Sequence, residues 1–172
     1  MKNLARLTMA VALLVPVGIV AAGPASAAGG TTCKPPSGVV KLSPGLTAKL
    51  TVQTITINLP VAGCSGGGVT GGTFKGSLKT TPISIGTFAK SSAPLKLNST
   101  ITWNTKATST LIATSTTKIG KTIVSTVKGK ISKGLFIGLT FTSVQTVTLG
   151  KPGAGGAITT LNIKGSAPVT IK

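Results

Sequence analysis

A chain of 172 residues with eighteen lysines and arginines, no Asp, Glu, His or Tyr, and a formal charge of +18 is long enough for one ordinary domain. It lacks most of the side chains that carry acid–base chemistry. That inventory excludes paired-carboxylate hydrolysis, Ser-His-Asp catalysis and His-assisted cysteine chemistry, and it leaves no His or carboxylate to complete a metal shell.

Residues 1–27 have the layout of an export signal. Lys2 and Arg6 form a positive start, an apolar run follows from Leu7 to Ala22, and Ala25-Ser26-Ala27 is a small-residue cleavage site. A retained anchor is the competing reading, but the run is short for a span and contains Pro16. Cleavage after Ala27 leaves a domain of residues 28–172, expected to be secreted or held at the cell envelope, outside the cytoplasm. Ala28 to Thr32 separate that point from Cys33, which argues against a lipid-modified cysteine.

Cys33 and Cys64 are the two cysteines of the chain. An even pair in an exported chain is expected to form a disulfide, worth about 3–4 kcal/mol in the chain-entropy model. A reactive thiol would lack an activating histidine, and two sulfurs alone do not make a metal site. No cofactor is expected.

Beyond Cys33 the chain is rich in Thr, Val, Ile and Gly, with Gly or Pro interrupting about every ten residues, the rhythm of an all-β domain. In AKLTVQTITINL, residues 48–59, the apolar parity flips between Leu50, Val52 and Ile55, Ile57, Leu59, which predicts a β-bulge near Gln53 and Thr54. GGGVTG at 66–71 matches a dinucleotide fingerprint only formally, because a strand follows it and no acid lies downstream. Phe74, Gly76 and Leu78 share one strand face. Ser77 and Lys79, on the other face, are the nearest approach to a serine–lysine pair, and an outward position denies the lysine the burial it would need.

LKLNSTITW, residues 95–103, is the clearest strand: Leu95, Leu97, Ser99, Ile101 and Trp103 face one way and Lys96, Asn98, Thr100 and Thr102 the other. Trp103 therefore belongs with the core, and the acceptor pattern Asn98-Ser99-Thr100 reads as an outward strand asparagine. The threonines of TSTLIATSTT, 108–117, suit strand propensity. Gly120-Lys121-Thr122 resembles the end of a phosphate loop but lacks its first glycine, replaced by Ser115, so it reads as a turn.

Period-two alternation returns at Ile123, Ser125, Val127 and Ile131, and at Leu161, Ile163, Ala167, Val169 and Ile171. GGVTGGTFKG (67–76) and GKISKGLFIG (129–138) share the pattern G-x-V/I-T/S-x-G-x-F-x-G, which predicts one hairpin unit used twice, each Phe entering the core. With about eight to ten short, half-buried strands, the expected fold is an all-β, two-sheet antiparallel sandwich, immunoglobulin-like or Greek-key. A membrane barrel is disfavoured because Tyr is absent and the predicted outward faces carry Lys and Thr.

Outside the export signal the charge consists of sixteen lysines. Lys49, Lys75, Lys79, Lys96, Lys128, Lys130 and Lys164 alternate with apolar residues and should point outward. Lysines of this kind protect sheet edges and keep a protein dissolved, yet that role does not require the omission of every acid. The omission suits a surface left attractive to polyanions. KIGKTIVSTVKGKISKG, with Lys118, Lys121, Lys128, Lys130 and Lys133, is the candidate polyanion contact, the partner being an anionic cell-wall polymer or lipid head groups. Sequence-specific nucleic-acid binding is not expected: arginine forks are missing from residues 28–172 and aromatics are few.

With Cys33 and Cys64 paired, and apart from the chain ends, no group in residues 28–172 has a reference pKa between about 4 and 9. Stability should therefore be nearly constant across that window and should rise with added salt, which screens lysine repulsion. Thermal melts at several pH values and ionic strengths check this, and a pronounced acid transition would contradict it.

The ASA signal ending, the paired cysteines, VKLSPGLT at 40–47, CSGGGVTGGTFKG at 64–76 and KISKGLFIG at 130–138 together resemble small exported β-rich proteins of actinobacteria. The resemblance implies secretion and no activity, and it supplies no site residues. The resulting expectation is an exported, non-catalytic protein with a binding or structural role at the cell envelope. The alternative is a secreted effector: a hydrolase inhibitor acting through the segment KPGAGGA, 151–157, or a membrane-active cationic protein.

Overall fold

The structure is a computed structural model that describes residues 29–172 except 89, 91 and 92; the export signal expected at residues 1–27 lies outside the described residues. Ten strands run in chain order: β1 (Thr31–Cys33), β2 (Ser37–Leu46), β3 (Thr54–Ala62), β4 (Gly71–Lys79), β5 (Leu95–Trp103), β6 (Thr108–Ile119), β7 (Ile123–Gly134), β8 (Thr140–Leu149), β9 (Ile158–Gly165) and β10 (Val169–Ile171). A one-turn helix, α1 (Ile85–Phe88), lies between β4 and β5.

These strands do not form the expected sandwich. From β2 to β9 each strand pairs antiparallel with its successor, and β9 then pairs with β2 through Val39↔Asn162 and Val40↔Leu161. The result is a closed, eight-stranded up-and-down barrel. β1 and β10 are additional: β10 pairs with the first residues of β8, and β1 with β10. Alternation specifies which face of each strand is buried, and a sandwich and a barrel demand the same alternation. The difference lies in the pairing of β9 with β2, whose partners are far apart in the chain.

Closure is visible inside the barrel. β4 and β8 lie on opposite sides of an eight-stranded ring, yet the rings of Phe74 and Phe141 stack across the interior with centroids 5.9 Å apart. Small inward residues make room for them. Gly76 of β4 is paired with Ser99 of β5, Ala113 of β6 with Gly129 of β7, and Gly129 in turn with Phe141.

One end of the barrel is plugged. Trp103 packs edge-on against Phe136, ring centroids 5.3 Å apart, and both are buried with Val69, Ile131 and Ile171. Cys33 and Cys64 are joined by a disulfide that ties β1 to the β3–β4 connection. Reciprocal backbone hydrogen bonds between Thr32 and Ser65, at 3.0 and 2.9 Å, flank it. Such a bond is compatible with an oxidising compartment outside the cytoplasm. The opposite end carries the β2–β3, β4–β5, β6–β7 and β8–β9 connections, and a second apolar cluster, including Leu46, Ile83, Ile158 and Leu161, packs on its β2, β3 and β9 side.

β5 spans Leu95–Trp103, with Leu97, Ser99, Ile101 and Trp103 buried, as its alternation predicts. Two finer expectations fail. The parity break at Gln53 is not a bulge but the boundary of β3: residues 47–53 are a loop in which Leu50 and Val52 are 61% and 48% exposed. Gln53 is buried there because its amide replaces a strand partner, accepting from Gly45 N at 2.9 Å and donating to Gly45 O and Thr51 Oγ1.

The shared glycine pattern is likewise not a repeated hairpin. In its first copy Phe74 stands within β4, whereas in the second the same position, Phe136, lies in the β7–β8 connection at φ 65°. Both phenylalanines are buried, but the copies interlock instead of repeating: a Cβ on Gly67 would sit 2.3 Å from the Phe136 ring. Glycine at 67 is what lets that ring reach the barrel floor.

Candidate functional site: a lysine wall around an uncharged lumen

All sixteen lysines among the described residues are exposed. Register decides which of them become neighbours. On the outer wall Lys96 of β5 is paired with Thr114 of β6, which is paired with Lys128 of β7. Those two lysines thus lie in one row, about 10 Å apart at the usual strand spacing. The next outward row places Ile112 between Asn98 and Lys130, and the one beyond sets Thr110 between Thr100, itself paired with Lys75 of β4, and Lys133.

The five lysines singled out from the sequence all lie on the β6–β7 hairpin. Lys118 stands level with Val124 near its tip, Lys121 is in the turn, and Lys128, Lys130 and Lys133 follow down β7. They are strung over roughly 30 Å, and only the last three form one face with Lys75 and Lys96. Sequence reasoning placed Lys75 and Lys96 outward but did not join them to this group, because the register that joins them is set by pairing across three strands. Lys49, expected on a strand, lies in the β2–β3 loop.

The other motifs legible in the chain are structural features: Gly120-Lys121-Thr122 forms the β6–β7 turn, and Asn98 is exposed on β5. Ser77 and Lys79 are both exposed on the outer face of β4. The 151–157 segment is an exposed connection with a single 3-10 turn at Ala154–Gly156.

Inside the barrel the surroundings are different. No described lysine enters it, and the chain has no acid, so the lumen is uncharged. Its polar groups are mostly serines: Trp103 Nε1 donates to Ser109 Oγ at 2.8 Å, Ser109 Oγ donates to the Leu135 carbonyl, and Ser115 and Ser125 share a hydrogen bond of 2.8 Å. The hydroxyls of Ser99 and Ser143, by contrast, are buried without a partner among the described residues. Buried polar groups are ordinarily paired, so these two stand out. Sequence alternation placed Ser99 inward, but nothing in the sequence marked Ser143.

Two cavities of about 130 and 50 Å³ occupy the lumen and share Val40, Ile57, Leu97, Val127 and Gln145 in their walls. The larger reaches toward the end with α1, where the exposed Thr81 and Ala93 belong to its wall. The smaller lies deeper, beside Phe74, Phe141 and Ser143.

Apolar inside and Thr/Lys-rich outside, the molecule has the reverse polarity of a bilayer-spanning barrel. It is a closed eight-stranded antiparallel barrel with a cationic, water-facing wall and a hollow apolar lumen. No helix among the described residues is long and apolar enough to cross a membrane. Comparison with protein-family models, curated proteins and solved structures found no match for the chain.

Proposed function

We propose that the protein is an exported, non-catalytic barrel that binds an anionic polymer of the cell envelope through the outer wall of β4–β7. The observation that carries this reading is the exposure of every described lysine in a chain without one carboxylate side chain to neutralise it. Lys75, Lys96, Lys128, Lys130 and Lys133 share one wall, and the side chains between them are Thr and Asn apart from Ile112, 58% exposed. A polar, gently curved surface with spaced ammonium groups suits a hydrated phosphate-bearing chain. Insertion into lipid would call for a broad apolar face. The disulfide supports a location outside the cytoplasm.

Binding to long-chain polyphosphate, measured against salt concentration, tests the reading. Affinity should fall steeply with salt through counterion release, and each lysine that contacts phosphate contributes about one unit to the log–log slope. Lys128→Gln/Lys130→Gln/Lys133→Gln should reduce the slope by about three units, or two if one lysine stays solvated. Lys41→Gln/Lys151→Gln/Lys164→Gln, which removes the same charge elsewhere on the barrel, should reduce it far less. Equal losses from the two triple variants would mean that net charge alone drives binding and would reject the wall. Binding to anionic vesicles but not to polyphosphate would favour the membrane-active alternative.

A further inference from the structure

We infer that the barrel lumen is a binding site for a small, neutral, largely apolar molecule that carries one hydroxyl or carbonyl group. The site is separate from the lysine wall and does not depend on the polymer-binding reading.

The space exists because inward positions that could hold large side chains hold small ones instead: Ser115 and Ser125 line the larger cavity and Ser143 the smaller, in an eight-stranded barrel, a size whose lumen side chains can otherwise fill. The two cavities of about 130 and 50 Å³ share walls. An apolar cavity of about 150 Å³ holds a benzene-sized molecule. An occupant of about six to ten heavy atoms is therefore the right scale.

Charge selects the chemical class. A carboxylate or ammonium in this lumen would lose its hydration and meet no opposite charge, because all described lysines are outside and acids are missing from the chain. The occupant must be neutral. Its polar group is indicated by Ser143, 3% exposed, whose Oγ has no hydrogen-bond partner among the described residues and whose side chain lines the deeper cavity. A hydroxyl can donate or accept, so it matches a ligand hydroxyl or carbonyl. Gln145, in the walls of both cavities, is a further polar group beside an occupant, and Ser115 and Ser125 in the larger cavity already bond to each other.

Access is set by the fold. Trp103, Phe136 and the disulfide close one end, whereas at the other the cavity wall includes exposed Thr81 and Ala93 together with Thr117 and Ile123 of the β6–β7 hairpin. A molecule enters there, its polar group leading toward Ser143.

Isothermal titration and thermal shift with p-cresol, toluene and benzoate test the site on the disulfide-intact chain. Saturable binding of p-cresol, about five- to tenfold tighter than toluene for one added hydrogen bond, and no binding of benzoate are expected. Ser143→Ala should fold and abolish the preference for p-cresol while leaving toluene binding intact. Val127→Phe, which fills the region common to both cavities, should abolish binding of both; should that variant fail to fold, Ser143→Ala decides. Three results would overturn the inference: no saturable binding of either neutral probe, which would leave the space to water; a p-cresol preference unchanged in Ser143→Ala; or benzoate binding as tightly as p-cresol.

Discussion

Trp103→Ala is expected to cost about 3–5 kcal/mol of stability and to lower Tm by roughly 10 °C or more. Trp103 is 2% exposed and closes the floor of the barrel at the end of β5. It contributes in two ways. Its ring fills the space beside Phe136, and its indole N–H donates to Ser109 Oγ, which itself donates to the Leu135 carbonyl. Truncation opens a cavity at the plug and takes away the donor facing Ser109, so the β7–β8 connection loses the ring against which Phe136 packs.

Trp103→Phe separates these contributions. It keeps most of the ring volume and loses the hydrogen bond, so a smaller cost of about 1–2 kcal/mol is expected. Denaturant melts of both variants check the pair. If the two cost the same, the hydrogen bond and not the filling of the floor is what matters, and the barrel-plug account of Trp103 is wrong.

Removing the disulfide with Cys33→Ala/Cys64→Ala should destabilise by about 3–4 kcal/mol. The bond closes a loop whose ends are 31 residues apart in sequence, and that loop contains the whole of β2 and β3. Without it the unfolded chain regains the entropy the cross-link removed. In the native state β1 would be held by its short ladder to β10, the Thr32–Ser65 pair and the bond from Lys34 N to Ala62 O. Hydrogen exchange at Thr32 and Ser65 should accelerate far more than in β5–β7. Because the wall lysines and the open end of the lumen lie away from the bond, polyphosphate and p-cresol binding should survive below the lowered Tm. An unchanged melt would show that the cross-link does not constrain the unfolded chain as its loop length implies.

Much of the local architecture was legible in the residues themselves. Period two in LKLNSTITW gave the limits and buried face of β5, because one side of a half-buried strand must be apolar. The even pair of cysteines in a chain with an export-like start gave the disulfide. The alternation of lysine with apolar residues placed Lys75, Lys96, Lys128 and Lys130 outward. Where the reading failed, alternation was asked to say more than it contains. Leu50, Thr51 and Val52 alternate like a strand, yet most of that segment is a loop satisfied through the Gln53 amide. Phe74 and Phe136 sit in matching motifs and in different secondary structure, since a ten-residue pattern of glycines does not specify what lies beneath it.

Composition determined that this protein has no acidic or imidazole side chains to work with and that its ammonium groups face water, since burying them unpaired is prohibitive, and alternation determined that its strands are half-buried. Only the tertiary structure decided that β9 returns to β2, so that one sheet closes on itself instead of two sheets packing face to face. That closure sets the neighbours of each lysine on the outer wall. It also brings Phe74 against Phe141 and leaves the Ser143 hydroxyl without a partner among the described residues, beside the deeper cavity of the lumen. The physical reason is that strand faces are specified by neighbours two residues away, whereas pairing partners and the spaces between them depend on contacts between distant parts of the chain.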